Sequence, residues 1–243
     1  MAYVLTICYA GKTIEMSKSF SARYKKKGMV RGKNEKPTPE QMLKINERNA
    51  ETKLRRLINT NYGAGDLHIT LTYKKDNRPD PEEAKKELDK YLRPLRNLYK
   101  KNGEELRYII VTEYKNKAIH HHLIVNVVDS VPIKEFDRLW KNGRTRFAYL
   151  DNTGQYAALA SYLIKETRAT FREQGSPSRK RWNASRNLKK PIIKKKIIQA
   201  KEWKKDPEPL KGYLLEVDTM KEGIHDVTGW PYQFYSMVRI GNG

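Results

Sequence analysis

Nine residues, Ile119 to Val127, constrain this chain more than any other segment. Three consecutive histidines head a run that is otherwise apolar except for Asn126. Aliphatic residues in a short run read as a strand, and neighbouring strand side chains point to opposite faces. His120 and His122 therefore project together, while His121 faces the other way. A second strand, Leu106 to Glu113, precedes it across a tight polar turn at Lys115-Asn116-Lys117. Glu113 thus lies just across the turn from the histidines. Two imidazoles and a carboxylate leave coordination positions for water and a phosphate oxygen, which suits a divalent ion acting as a Lewis acid. Mn²⁺ or Mg²⁺ fits that ligand mix better than a structural zinc site, which normally takes four protein ligands. The competing reading is a surface cluster or a hydrogen-bonded core feature; the apolar flanks argue against the first and the paired carboxylate against chance.

The rest of the chain supplies a frame for such a sheet. Residues 2–20 alternate around Ala10-Gly11-Lys12 and predict a β-hairpin. The basic segment Lys25 to Lys36 reads as a mobile loop. Thr38-Pro39-Glu40-Gln41 predicts a capped helix start, with Pro39 at the first helical position and Gln41 closing a capping box. That helix should run to about Thr60 with Leu43, Ala50, Leu54 and Leu57 on one face. Leu67 to Tyr73 has strand periodicity. Asp80-Pro81-Glu82-Glu83 opens a helix carrying Leu88, Leu92, Leu95 and Leu98, which Pro94 should kink. A short helix from about Pro132 to Trp140 and a strand from Thr145 to Leu150 follow. Asp151, Asn152 and Thr153 offer caps for a last helix reaching about Arg172. This order predicts an α+β fold with a central antiparallel sheet flanked by helices. Three regions are expected: 1–60 as hairpin, basic loop and helix; 61–172 as the core; and 173–243 as a basic segment and C-terminal extension packing on that core.

Charge points to the partner. The 243 residues carry 50 Lys and Arg against 28 Asp and Glu, a net +22, which favours a polyanion. Residues 172–205 alone hold 13 of those cations and two acids, Glu173 and Glu202, or +11. Arg179, Lys180, Arg181, Trp182, Arg186, Lys189 and Lys190 are the candidate DNA contacts within it. A solvated charged linker is the plainer reading of the segment, and Trp182 and Trp203 either stack on bases or anchor it. The longest apolar stretches are too short to span a bilayer. No secretory signal pattern opens the chain, and a single cysteine, Cys8, fits a reducing cytoplasm.

In the last predicted helix, Tyr156, Leu159, Ala160, Leu163 and Ile164 share one face. Tyr162 lies off that stripe, with Lys165 three residues on along the same side. A phenol has a reference pKa of about 10, so attack by it on a phosphate needs a nearby cation, which Lys165 and a bound metal can supply. An exposed tyrosine making ordinary surface contacts is the plainer reading of Tyr162 taken by itself.

Taken in order, these motifs resemble the HUH endonucleases, in particular the rolling-circle replication initiators of bacterial plasmids, phages and integrated elements. Leu67 to Thr72 resembles their first motif, an apolar strand with alternating threonines. Ile119 to Val125 resembles the second, histidine–hydrophobe–histidine followed by apolar residues, with His121 in place of the hydrophobe. Tyr162-Leu163-Ile164-Lys165 resembles the third, Tyr-x-x-Lys. Trp182 to Pro191 is similar to a segment of initiators from Gram-positive elements. The resemblance implies a ferredoxin-like or RRM-like core, His120, His122 and Glu113 as ligands of a divalent metal, Tyr162 as nucleophile and Lys165 as its electrostatic partner. It further implies nicking and rejoining of single-stranded origin DNA through a 5′-phosphotyrosine. No Walker-type phosphate loop is present, so a host helicase is the implied unwinding partner. A transposase or mobilisation nuclease of the same superfamily, or a non-catalytic basic nucleic-acid-binding protein, are the alternatives.

Overall fold

The computed structural model describes residues 2–21, 37–113, 118–167, 180–198, 203–225 and 229–241. In chain order the elements are β1 (Ala2–Ala10), β2 (Thr13–Ser21), α1 (Pro39–Asn61), β3 (Leu67–Thr72), α2 (Pro81–Lys101), β4 (Tyr108–Glu113), β5 (His120–Val125), α3 (Ile133–Leu139), β6 (Thr145–Tyr149), α4 (Ala157–Glu166), β7 (Asn183–Ala184), β8 (Ile192–Ile198), β9 (Tyr213–Ile224) and β10 (Pro231–Arg239). The fold is α+β, as the element order predicts, with two antiparallel five-stranded sheets. The chain divides into two units, one made of Met1–Thr60 and Lys190–Gly243, the other of Asn61–Lys189. No helix among the described residues is long and apolar enough to cross a membrane.

The first unit is built on the predicted hairpin, β1 and β2 in register from Ala2↔Ser21 to Ala10↔Thr13. Gly11 makes its turn at φ +60, and a Cβ there would stand 1.9 Å from the Asn59 carbonyl oxygen, so only glycine fits. The capping box of α1 forms: the Thr38 hydroxyl accepts from Gln41 N at 3.2 Å, and Gln41 Oε1 accepts from Thr38 N at 2.9 Å. Only the last turns of this helix are anchored, however. Leu54 and Ile58 are fully buried, Ala50 and Leu57 only partly, and Leu43 is exposed, which corrects the expected stripe. The reason is that the sheet is met by the C-terminal half: Asn59 Nδ2 donates to Thr13 Oγ1, and Arg55 and Arg56 bind Glu15. β8 pairs with β1, β10 with β2 and β9 with β10, giving the order β8-β1-β2-β10-β9 around a core of Ile7, Ile14, Met16, Tyr235 and Met237.

The second unit has the sheet order β6-β3-β5-β4-β7. Strand β3 shows the predicted alternation, with Leu67, Ile69 and Leu71 buried. These pack with Leu123 and Val125 of β5, Ile110 of β4, Leu88, Leu92 and Leu95 of α2, and Phe136 and Trp140. Asp80 caps α2 by accepting from Glu83 N at 2.8 Å, and Pro94 lies inside the helix. Helix α4 begins at Ala157, later than the expected caps. Asp151 Oδ1 instead accepts from Thr153 N within a local turn, and the Tyr156 hydroxyl donates to the Asp151 carbonyl at 2.8 Å. The helix ends at Glu166 rather than near Arg172. The Lys25 to Lys36 loop and the turn at Lys115 to Lys117 lie outside the described residues.

Candidate functional site

The site follows from the register of three strands. Glu113 of β4 pairs with His120 of β5, Val111 with His122, and Thr70 of β3 with His122. Directly opposed residues of an antiparallel pair share a face, so Glu113, His120, His122, Thr70 and His68 stand on one side of the sheet. His121 stands on the other, among the core residues. It is fully buried, with the Tyr73 hydroxyl 2.9 Å from its Nε2 and the Thr112 hydroxyl 2.8 Å from its Nδ1. Both ring nitrogens are satisfied, which explains how a histidine occupies a position where an apolar residue would be ordinary.

On the opposite face the imidazoles converge. His120 Nε2 lies 3.1 Å from His122 Nε2 and 3.1 Å from Glu113 Oε2. His120 Nδ1 lies 2.8 Å from the Ala118 carbonyl oxygen. A carbonyl only accepts, so Nδ1 carries the proton, and the neutral ring turns its Nε2 lone pair inward. Ligand atoms of Glu113, His120 and His122 all lie within 4.8 Å of one another. Two nitrogens and a carboxylate oxygen directed at one point, in a buried setting, want a cation. The residues therefore fit a divalent ion, and the donor set leaves room for water or phosphate. Burial, with the neighbouring His68 and His120 adding to it, pushes the His122 pKa down to about 3, and burial holds His121 at about 3 as well. Burial also lowers His68. Neutral imidazole is the ligating form.

Tyr162 reaches this cluster from α4. Its hydroxyl is 3.5 Å from His122 Nε2, its ring meets the His122 ring edge-on at 5.4 Å, and it is 41% exposed. The helix buries Tyr156, Ala160, Leu163 and Ile164, the expected stripe, with Leu159 partly buried. Tyr162 is thereby turned to the edge between core and solvent. Lys165 is exposed on the turn after it.

Two residues on the same face escaped the sequence reading. His68 Nε2 lies 3.1 Å from His122 Nδ1. Arg146 of β6 pairs with Thr70, so one row across the sheet reads Arg146, Thr70, His122, Val111. Arg146 is exposed. The polar phase of Leu67 to Thr72, namely His68, Thr70 and Thr72, was the available signal.

The basic segment is structured where it is described. It contributes β7 to the second unit's sheet and β8 to the first unit's. Lys180, Arg186, Lys189 and Lys190 are exposed, Trp182 is half-buried and Arg181 is buried; Arg179 lies outside the described residues. Asn61 holds the Lys189 backbone from both sides, at 2.9 and 2.7 Å. Trp203 packs edge-on against Tyr3 at 5.3 Å with Lys18 over its ring.

Residues 66–167 match the family model of the replication-associated protein ORF2. That match spans every residue of the cluster and Tyr162, and it fits a Rep protein of the rolling-circle replication type. Comparisons with curated proteins and with solved structures give no match.

Proposed function

We propose that this protein initiates rolling-circle replication by nicking, and later rejoining, a single strand of origin DNA through Tyr162. The observation that carries the reading is the Tyr162 hydroxyl, 3.5 Å from His122 Nε2 at the Glu113, His120 and His122 cluster. A nucleophile on a helix and a carboxylate–imidazole cluster on a sheet are brought to one place from positions 40 residues apart.

A divalent ion held by Glu113, His120 and His122 would supply Lewis-acid polarisation of the scissile phosphate. Tyr162 Oη attacks that phosphorus, and its phenolic proton leaves to solvent. The P–O3′ bond breaks, the departing oxygen takes a proton to become a 3′-hydroxyl, and the 5′ phosphate remains esterified to the tyrosine. Because one ester is exchanged for another, the 3′-hydroxyl of an incoming strand can reverse the step without nucleotide hydrolysis. Lys165 stabilises charge on the phosphate. Arg146, exposed on the edge strand two rows from His122, holds the strand beside the scissile position. The exposed lysines and Arg186 of 180–190 hold DNA further along, and a host helicase supplies unwinding.

The test is incubation of the full chain with single-stranded DNA from the origin region, with and without Mn²⁺, on a denaturing gel. A metal-dependent protein–DNA adduct that Tyr162→Phe abolishes is the expected outcome. Cleavage surviving in that variant would move the nucleophile to water or another group. Tight binding with no cleavage would favour a non-catalytic DNA-binding protein, and cleavage only at hairpins from an element's ends would favour a transposase.

A further inference from the structure

The two candidate imidazole ligands are oriented by different means. His120 donates its Nδ1–H to the Ala118 carbonyl at 2.8 Å, so its tautomer is fixed by backbone. The Nδ1 of His122 instead faces a second histidine, His68 Nε2, at 3.1 Å, with the Thr70 hydroxyl at 3.3 Å. His68 and Thr70 belong to β3, and Thr70 is the direct cross-strand partner of His122. The two rings of the pair lie 5.3 Å apart and 32° from coplanar, so the contact is through ring edges in a shared plane rather than by stacking.

We propose that His68 is a positioning residue for the metal ligand His122, accepting the His122 Nδ1–H on its own Nε2 and so directing the His122 Nε2 lone pair at Glu113 and His120. This rests on the metal reading of the cluster given above. An imidazole that ligates through one nitrogen must keep its proton on the other, and an acceptor there fixes both tautomer and ring angle. A protonated Nδ1 on His122 needs an acceptor. His68 offers one only when its own proton sits on Nδ1, away from the contact. The Thr70 hydroxyl, slightly more distant, is a weaker second acceptor. The role places the polar phase of β3 in the site: the strand is apolar toward the core and orients a ligand on its other face.

Mn²⁺ alone, titrated into the metal-free full chain and followed by calorimetry, tests this with four proteins: wild type, His120→Ala, His68→Leu and His68→Gln. Gln is the conservative variant because its Oε1 can accept where Nε2 does. Wild type should bind Mn²⁺ and His120→Ala should not. His68→Leu should weaken binding by about 10- to 100-fold, the usual cost of losing such a partner, while His68→Gln stays within about threefold of wild type. Long-range ¹H–¹⁵N spectra should show the His122 Nδ1–H tautomer in wild type and His68→Gln, and a mixture in His68→Leu. His68→Leu binding Mn²⁺ as wild type does would overturn the proposal while leaving the metal site intact. Equal losses in both His68 variants, with matching loss of thermal stability, would overturn it in favour of plain packing. Identical weak binding by wild type and His120→Ala would remove the metal reading and the proposal with it.

Discussion

Glu15 and Glu113 both sit buried on strands of five-stranded antiparallel sheets, at 1% and 4% exposure, but their neighbours differ in kind. Glu15 meets two guanidinium groups, Arg55 Nε at 2.7 Å on one oxygen and Arg56 Nε at 2.6 Å on the other. Its charge is answered permanently by the chain. Glu113 meets His120, whose ring can carry charge only by taking a second proton, because Nδ1–H is already engaged with Ala118. The first arrangement is closed and holds a helix on a sheet. The second is open to a cation from outside, whether a proton or a divalent ion. A buried carboxylate by itself therefore says little about function; the permanence of the charge beside it is what separates scaffold from site.

The sharpest way to break that contrast is to neutralise each glutamate in turn. Glu15→Ala leaves two partly buried guanidinium groups without their acceptor, which costs about 3 kcal/mol or more. For a unit of this size that is a fall in melting temperature of roughly 10 °C. Nicking of a short single-stranded oligonucleotide, per folded molecule, should be unchanged. Glu113→Gln should do the reverse. It removes one ligand and a buried charge, so nicking at fixed Mn²⁺ should fall about 100-fold while the metal-free protein melts no lower than wild type. Paired melting and nicking assays read both, and a Glu113→Gln protein that loses stability as Glu15→Ala does would erase the distinction.

Acid should act on the second unit through its histidines. In the unfolded chain an imidazole takes a proton near about pH 6.5, whereas burial keeps folded His121 and His122 neutral down to about 3. Between those values the unfolded state binds more protons, so the stabilisation present above about pH 6.5 is lost as pH falls toward about 3. His121→Leu should flatten part of that slope without changing Mn²⁺ affinity, because His121 lies on the core face. Melting curves from about pH 4 to about pH 8 in chelator would show it. A steeper slope, or a lost metal site, would mean the two faces of β5 are not independent.

How much of this could be read in the sequence depended on range. The Gly11 hairpin, the Thr38–Gln41 capping box, the alternation of β3 and the split of His120 and His122 from His121 are all local, decided within a few residues. The anchoring of α1 was misjudged because periodicity marks an apolar face but not how much of the helix meets a sheet; Leu43 has the right spacing and stays exposed. The start of α4 was misplaced because Asp151 and Thr153 satisfy each other in a turn as readily as they cap a helix. The pairing of β1 with β8 and β2 with β10 joins segments far apart in the chain, Tyr3 with Ile198 and Lys18 with Gln233 among them, and no local pattern encodes such partners. His68 and Arg146 were missed for the same reason: their relation to His122 is a matter of cross-strand register.

Arg146 provides the finest test, because it separates the open face of the second sheet from general basicity. The chain carries +22, so removing one cation at random should weaken single-stranded DNA binding slightly and leave cleavage kinetics alone. Arg146 shares a row with Thr70 and His122, within reach of a phosphate next to the scissile one. Arg146→Ala should therefore reduce the salt slope by about 0.7, one phosphate contact for a single strand, and cost about 1 kcal/mol in binding. Its effect should be larger on oligonucleotides that span the nick site than on shorter ones lacking it. Lys194→Ala, an exposed cation of β8 in the other unit, is the control. If the two variants are indistinguishable on both oligonucleotides, the face of β6 and β3 beside His122 is not the path of the strand. If only Arg146→Ala discriminates between them, the DNA runs across the edge strand into the cluster, and the sheet that holds the ligands also reads the substrate's position.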